Sequence, residues 1–269
     1  MTHGRVFLFL VTALAGCATY DRAPEAIGDL MPYFWDNWEN GGDGVLADAV
    51  VNLGNATTEV GLGVPLKATL SPMATSRIEN LGLGDRDASR TAGLVTVTSF
   101  KCTLPQLEKI LASKDQMAIY PDGGYITYNR IYTTSDVDYF ARKISFLKWT
   151  VDLTATHIYD MSESLIGGLR FVADRGGGKS PYGSAIIQRT YMPTPALFGD
   201  PDHQWLQDYQ IEVYFEREPN RIVHAYATWR EVHLPLNFES GKDFYTSQSL
   251  TNMVDWDKAT EAACAAGKP

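Results

Sequence analysis

The chain is short of histidine, cysteine and positive charge, and each shortage excludes something. It has five histidines and three cysteines in 269 residues. His157, His203, His224 and His233 have no second His or Cys at i+2 to i+4, so the local His/Cys spacing of a zinc site is missing and a metal site would need distant partners. Asp and Glu number 32 against 23 Lys and Arg, a net charge of −9, and a field of that sign disfavours nucleic acid and anionic headgroups as partners. Beyond residue 17 no run stays apolar for the 18 or so residues that would mark a membrane helix. Gly-x-Ser-x-Gly and His-Glu-x-x-His do not occur. Gly176-Gly177-Gly178-Lys179-Ser180 lacks the first P-loop glycine, Ala173 standing in its place. Ser145-x-x-Lys148 has acyl-transfer spacing but opens a strand pattern and has no companion motif. Nothing in the chain names a reaction or asks for a cofactor.

What is present begins at the N-terminus. Arg5 precedes an apolar run from Val6 to Leu14, nine residues long, followed by Leu14-Ala15-Gly16-Cys17. A positive start, a short apolar core and small residues before a cut make an export signal, and the run is far below the roughly 20 residues a spanning helix needs. Leu14-Ala15-Gly16-Cys17 resembles the lipobox of bacterial lipoproteins. The resemblance implies cleavage after residue 16, lipid on Cys17, a tether over 17–23, and a membrane partner reached through the anchor. Ala18, not aspartate, follows the cysteine, which for a Gram-negative host implies the periplasmic face of the outer membrane. Loss of Arg5 with the signal takes the net charge to about −10.

With Cys17 committed to lipid, Cys102 and Cys264 remain as an even pair in an oxidising compartment. They form a disulfide across a long loop, or they are two buried thiols.

Along 24–93 the pattern is helical. Ile27, Leu30, Phe34 and Trp38 share one helical face, and Tyr33 and Trp35 lie off it, set either to meet a lipid interface or to pack on the domain. Gly41 to Gly44 breaks that helix, a second runs from Val45 to Leu53, and Ser71-Pro72 has the form of a cap opening a third over Met73 to Leu81. From Leu94 strand composition takes over. Thr103-x-x-Gln106 has the form of a capping box ahead of Leu104, Leu107, Ile110 and Leu111. A strand covers Tyr125 to Tyr132, and Ser135-x-x-Asp138 opens a short helix. From Leu147 to His157 apolar and polar residues alternate strictly, the clearest half-buried strand in the chain. Further strands are expected at 165–173, 185–192, 209–215 and 222–232, with a closing helix from about Ser247 to Ala263.

The expected class is therefore α+β. A curved antiparallel sheet of about seven strands over 94–269 grips a long C-terminal helix, and 24–93 form an added helical region. The order of elements over 94–265 resembles the helix-grip arrangement of START-like lipid-binding domains. That resemblance implies a cavity between sheet and last helix, and a hydrophobic or amphipathic small molecule as ligand. Tyr128, Trp149, Phe171, Tyr214, Tyr226 and Trp229 are the candidate aromatic wall, with His157, Glu212 and His224 as candidate polar members. Arg130, Arg170, Arg189 and Arg230 lie mid-strand among Asp152, Glu212 and Glu231. They form either ion pairs on a wet face or a clamp for a ligand headgroup.

Three functions follow, each with a signature. A ligand-binding module requires a cavity above about 300 Å³. A structural lipoprotein docking a protein partner requires an exposed apolar patch within 25–60. An enzyme requires a cleft where His157 or His224 meets a carboxylate.

Overall fold

The computed structural model describes residues 22–62, 65–83, 86–121, 124–156, 160–174, 181–199, 204–233 and 241–268, without the side chains of 241–250. The elements in order are α1 (Ile27–Asn37), α2 (Asp43–Ala56), β1 (Leu66–Leu70), β2 (Ala92–Lys101), α3 (Leu104–Ala112), α4 (Gln116–Ile119), β3 (Tyr125–Tyr132), α5 (Asp136–Phe140), β4 (Phe146–Thr156), β5 (Asp160–Val172), β6 (Ala185–Tyr191), β7 (Leu197–Phe198), β8 (Gln204–Glu218), β9 (Arg221–His233) and α6 (Gly241–Ala265).

The strands form one antiparallel sheet in the order β1-β2-β9-β8-β6-β5-β4-β3, with β7 paired to β5. Strict period-2 patterning fixes which side chains share a face. In β4, Leu147, Trp149, Val151, Leu153 and Ala155 are buried while the residues between them are partly or fully exposed. The central strands differ. In β2 every residue from Gly93 to Phe100 is buried, because both faces of the sheet are covered there. On one face Val95 and Val97 join Leu30, Phe34, Trp35, Leu46 and Leu53 from α1 and α2 in a single core. On the other, α6 crosses the strand, and its Asp257 accepts from Thr98 Oγ1.

Local signals account for several boundaries. Thr103 Oγ1 accepts from the Gln106 amide at 3.3 Å and caps α3. Ser135 caps α5 in the same way. Cys102 and Cys264 are joined by a disulfide, their Cα atoms 5.7 Å apart, which fastens the end of α6 beside the end of β2.

The structure corrects several expectations. Among the described residues nine strands replace seven, since Leu66–Leu70 forms an edge strand on β2 and Leu197–Phe198 a two-residue addition on β5. Met73 to Leu81 holds two 3-10 turns, Thr75–Arg77 and Glu79–Leu81, because Thr75, Ser76 and Asn80 are poor helix formers and Gly82, at φ 68°, ends the turn. The region 24–93 is no appendage: it supplies an edge strand, and its helices share their core with the sheet. Trp35 is 1% exposed and packs edge-on against Tyr209 and Trp229, so it meets the sheet and not a lipid interface. Cys17, His157, His203 and the Gly176–Ser180 turn lie outside the described residues.

Candidate ligand-binding cavity

A cavity of about 320 Å³ lies between the concave face of the sheet and a roof made by α6, α3 and α4. The inward positions of β3, β4 and β5 supply Tyr128 and Arg130, Trp149 to Ala155 at alternate residues, and Glu163 with Leu165. Gln188 and Thr190 come from β6, Gln210 and Glu212 from β8, and His224, Tyr226 and Arg230 from β9. Met253 and Trp256 of α6 and Leu111 of α3 close it from above. Gly167 pairs with Trp149 across β4 and β5. A Cβ at Gly167 would sit 2.8 Å from Thr190 Oγ1 and 3.3 Å from Trp149 Nε1, so glycine makes room for the indole against the wall.

One end of the cavity is closed by a buried charge network. His224 Nε2 donates to Glu212 at 3.0 Å, and His224 Nδ1 donates to Asp257 at 2.9 Å. Glu212 also accepts from Tyr214 Oη and Gln188 Nε2, both at 2.6 Å. The Tyr214 ring stacks on the imidazole with centroids 4.1 Å apart. Burial by itself would lower the affinity of His224 for its second proton, but the Asp257 and Glu212 carboxylates overcome it and hold the pKa up at about 9. The imidazolium therefore joins α6 to β8 and β9. Here a histidine meets two carboxylates, as an acid–base site would require. Both ring nitrogens are spent on them, so neither a lone pair nor a proton faces the cavity.

The arginines separate by face. Arg170 is 4% exposed and donates to the carbonyls of Asn37, Trp38 and Gly41 and to Asp43. It secures the end of α1 to the outer face of the sheet, where the chain's dipoles leave negative ends. Arg189 lies on that face too, with its guanidinium 4.3 Å from the Trp38 ring centroid and 3.3 Å from Glu39. A ladder of ion pairs on a wet face is therefore not what these residues form. Arg130 and Arg230 point into the cavity. Arg130 lies 4.2 Å from the Trp149 ring centroid and donates to Tyr128 Oη and to the carbonyls of Leu111 and Ser113. Arg230 pairs with Asp208 at 2.5 Å and lies 4.0 Å from the Trp205 ring centroid.

Of the residues expected at the site, Tyr128, Trp149, Glu212, His224 and Tyr226 line the cavity. Tyr214 lies behind the wall, under Glu212. Phe171 faces the same side but sits past the closed end, where Arg142 covers its ring at 3.6 Å. Trp229 is on the opposite face, donating to the Ser71 carbonyl at 3.0 Å beneath α1. Phase settles this: Tyr226 and Trp229 are three apart on one strand and cannot share a face. Glu163, Trp205, Gln188 and Trp256 were not anticipated; Trp205 is seven residues from Glu212 on β8 and reaches the same face only through the register shift between Trp205 and Gln207.

No family model matches the chain, and no curated protein matches it. Solved structures with a similar course of the chain include human StAR-related lipid transfer protein 5, at 7% identity and TM-score 0.42, covering 83% of this chain and 96% of that one. Human STARD10 matches at 12% identity and TM-score 0.42, over 75% of this chain and 69% of its own. The human StarD13 (DLC2) lipid transfer and protein localization domain matches at 6% identity and TM-score 0.41, over 65% and 79%. Likeness at these values carries no functional inference.

Proposed function

We propose that this protein binds a hydrophobic or amphipathic small molecule in the cavity under α6, and that lipid on Cys17 holds it to the envelope membrane. The cavity carries the proposal: about 320 Å³, with Tyr128, Trp149, Tyr226, Trp205 and Trp256 in its wall and polar side chains such as Gln188, Gln210 and Arg230 interleaved with them, suits an amphipathic small molecule. The docking alternative loses its expected signature, since Leu30, Phe34, Trp35, Trp38, Leu46 and Leu53 are all buried. The enzyme alternative loses one of its two acid–base candidates, since the bonds to Asp257 and Glu212 occupy His224; the other, His157, lies outside the described residues.

Native mass spectrometry of the purified protein tests the binding. A discrete extra mass of a few hundred daltons, lost on organic extraction, is expected. A protein that stays at its apo mass after incubation with a total lipid extract of its host overturns the proposal. For the anchor, Cys17→Ser is expected to abolish labelling by a radioactive fatty acid and to release the protein from the membrane fraction. Labelling that survives the substitution overturns the anchor. In a Gram-negative host, Ala18 after the cysteine points to the outer membrane, periplasmic face, which sucrose-gradient fractionation checks.

A further inference from the structure

The charged groups at the cavity wall are nearly all claimed. Arg130 is held by Tyr128 and by the carbonyls at the end of α3. Arg230 is held by Asp208. His224 and Glu212 satisfy one another and their neighbours. Glu163 differs. It sits on the inward face of β5, in one cross-strand row with Leu153 and Tyr128, and it lines the cavity. Among the described residues no group hydrogen-bonds its carboxyl. Glu163 is half-buried, a carboxyl drawn partly out of bulk water without a hydrogen-bond partner is costly, and the cavity is one of the two spaces it borders.

We propose that Glu163 receives the polar end of the ligand, and that this end is a hydroxyl. The inference rests on the cavity being a ligand site. Leu153, Leu165, Tyr128 and Trp149 surround the position with apolar surface, so the rest of the ligand is hydrophobic. The charges facing Glu163 are Asp208 of β8 and Arg230 of β9, with the Tyr125 and Tyr128 hydroxyls of β3 nearby. Arg230 and Arg130 disfavour an ammonium there, and burying an isolated cation adds a further cost. Desolvation, reinforced by Asp208 and opposed by Arg230, moves Glu163 up to about 7. Near neutrality the carboxyl thus alternates between accepting and donating. A hydroxyl matches both forms, whereas an ammonium can only donate.

The test is a tryptophan-fluorescence titration of the purified protein with dodecanol and with methyl dodecanoate, which has no donor. Trp149, Trp205 and Trp256 line the cavity and report on occupancy. Dodecanol is expected to bind about tenfold more tightly than the ester, the scale of one hydrogen bond to a carboxyl. Glu163→Leu is expected to erase that preference, and a near-ultraviolet circular dichroism spectrum matching that of the unsubstituted protein verifies that the variant is folded. Glu163→Gln, still an acceptor and a donor, keeps a preference for dodecanol. Equal affinities in the unsubstituted protein, or a preference that survives in Glu163→Leu, overturn the inference while leaving the cavity as a binding site. No response to either probe overturns both.

Discussion

His224 on β9 and Asp257 on α6 meet at 2.9 Å with both side chains buried, so the roof of the cavity is joined to its wall by a charged hydrogen bond. Glu212 takes the other ring nitrogen at 3.0 Å, and Thr98 of β2 bonds the far oxygen of Asp257. Four elements meet at one imidazolium, and the placement of α6 depends on its charge.

Stability should therefore fall with rising pH. The folded pKa of His224, about 9, lies above its unfolded reference of about 6.5. The stabilisation is complete below the lower value and is lost as the pH passes the upper one. Thermal melts between about pH 6.5 and pH 9.5 should show a falling Tm. His224→Gln should start lower and show a flatter profile, because breaking a buried pair costs about 3–5 kcal/mol. A wild-type Tm that stays level across this range would refute the assignment. Glu163, raised to about 7, contributes in the same direction at lower pH: its share is complete below about 4.5 and lost through about 7. Glu163→Gln should remove that share alone.

The Cys102–Cys264 bond, 162 residues apart in sequence, should contribute about 4–5 kcal/mol by restricting the unfolded chain. Urea unfolding of the Cys102→Ser, Cys264→Ser double variant should give a midpoint lowered accordingly. Non-reducing peptide mapping of the native protein should recover the two cysteines in one linked species, and free thiols there would exclude the bond.

Trp149 and Trp229 should separate binding from folding. Trp229 is 1% exposed beneath α1, so Trp229→Ala should cost about 3–5 kcal/mol in stability and leave dodecanol affinity per folded molecule unchanged. Trp149→Ala should weaken dodecanol binding, since its indole is cavity wall. Denaturant melts and fluorescence titrations on both variants check the contrast.

Gly167 should be intolerant of a side chain for a reason tied to the site. Gly167→Val would drive the Trp149 indole and the Thr190 hydroxyl apart, given approaches of 3.3 Å and 2.8 Å to an added Cβ. Weaker probe binding, with a blue or red shift of unliganded tryptophan emission, is the expected result.

Much of this architecture was legible from alternation and capping. The period-2 run from Leu147 to His157 placed Trp149 and its inward neighbours, and Thr103 and Ser135 marked their helix starts. What was missed has physical causes. Leu66–Leu70 is five residues with a lysine at its second position, too short for periodicity to stand out, and its pairing with β2 is set by tertiary contact. The outer aromatic face, Trp35 with Trp229 and Tyr209, was legible only by phase: applied along β9, that rule would have excluded Trp229. Glu163 gave no sign of itself, since a carboxyl among serines on a strand reads as solvent-facing until the opposite strand shows Leu153 beside it.

The covalent bond at the end of α6 has a consequence for exchange. When the ties at Asp257 break, Cys264 still holds the helix beside Cys102, so its return to the sheet is an intramolecular step. Its effective concentration stays on the order of millimolar whatever the protein concentration. Any movement of α6 away from the sheet is thereby confined at its C-terminal end, whatever happens at the Asp257 ties.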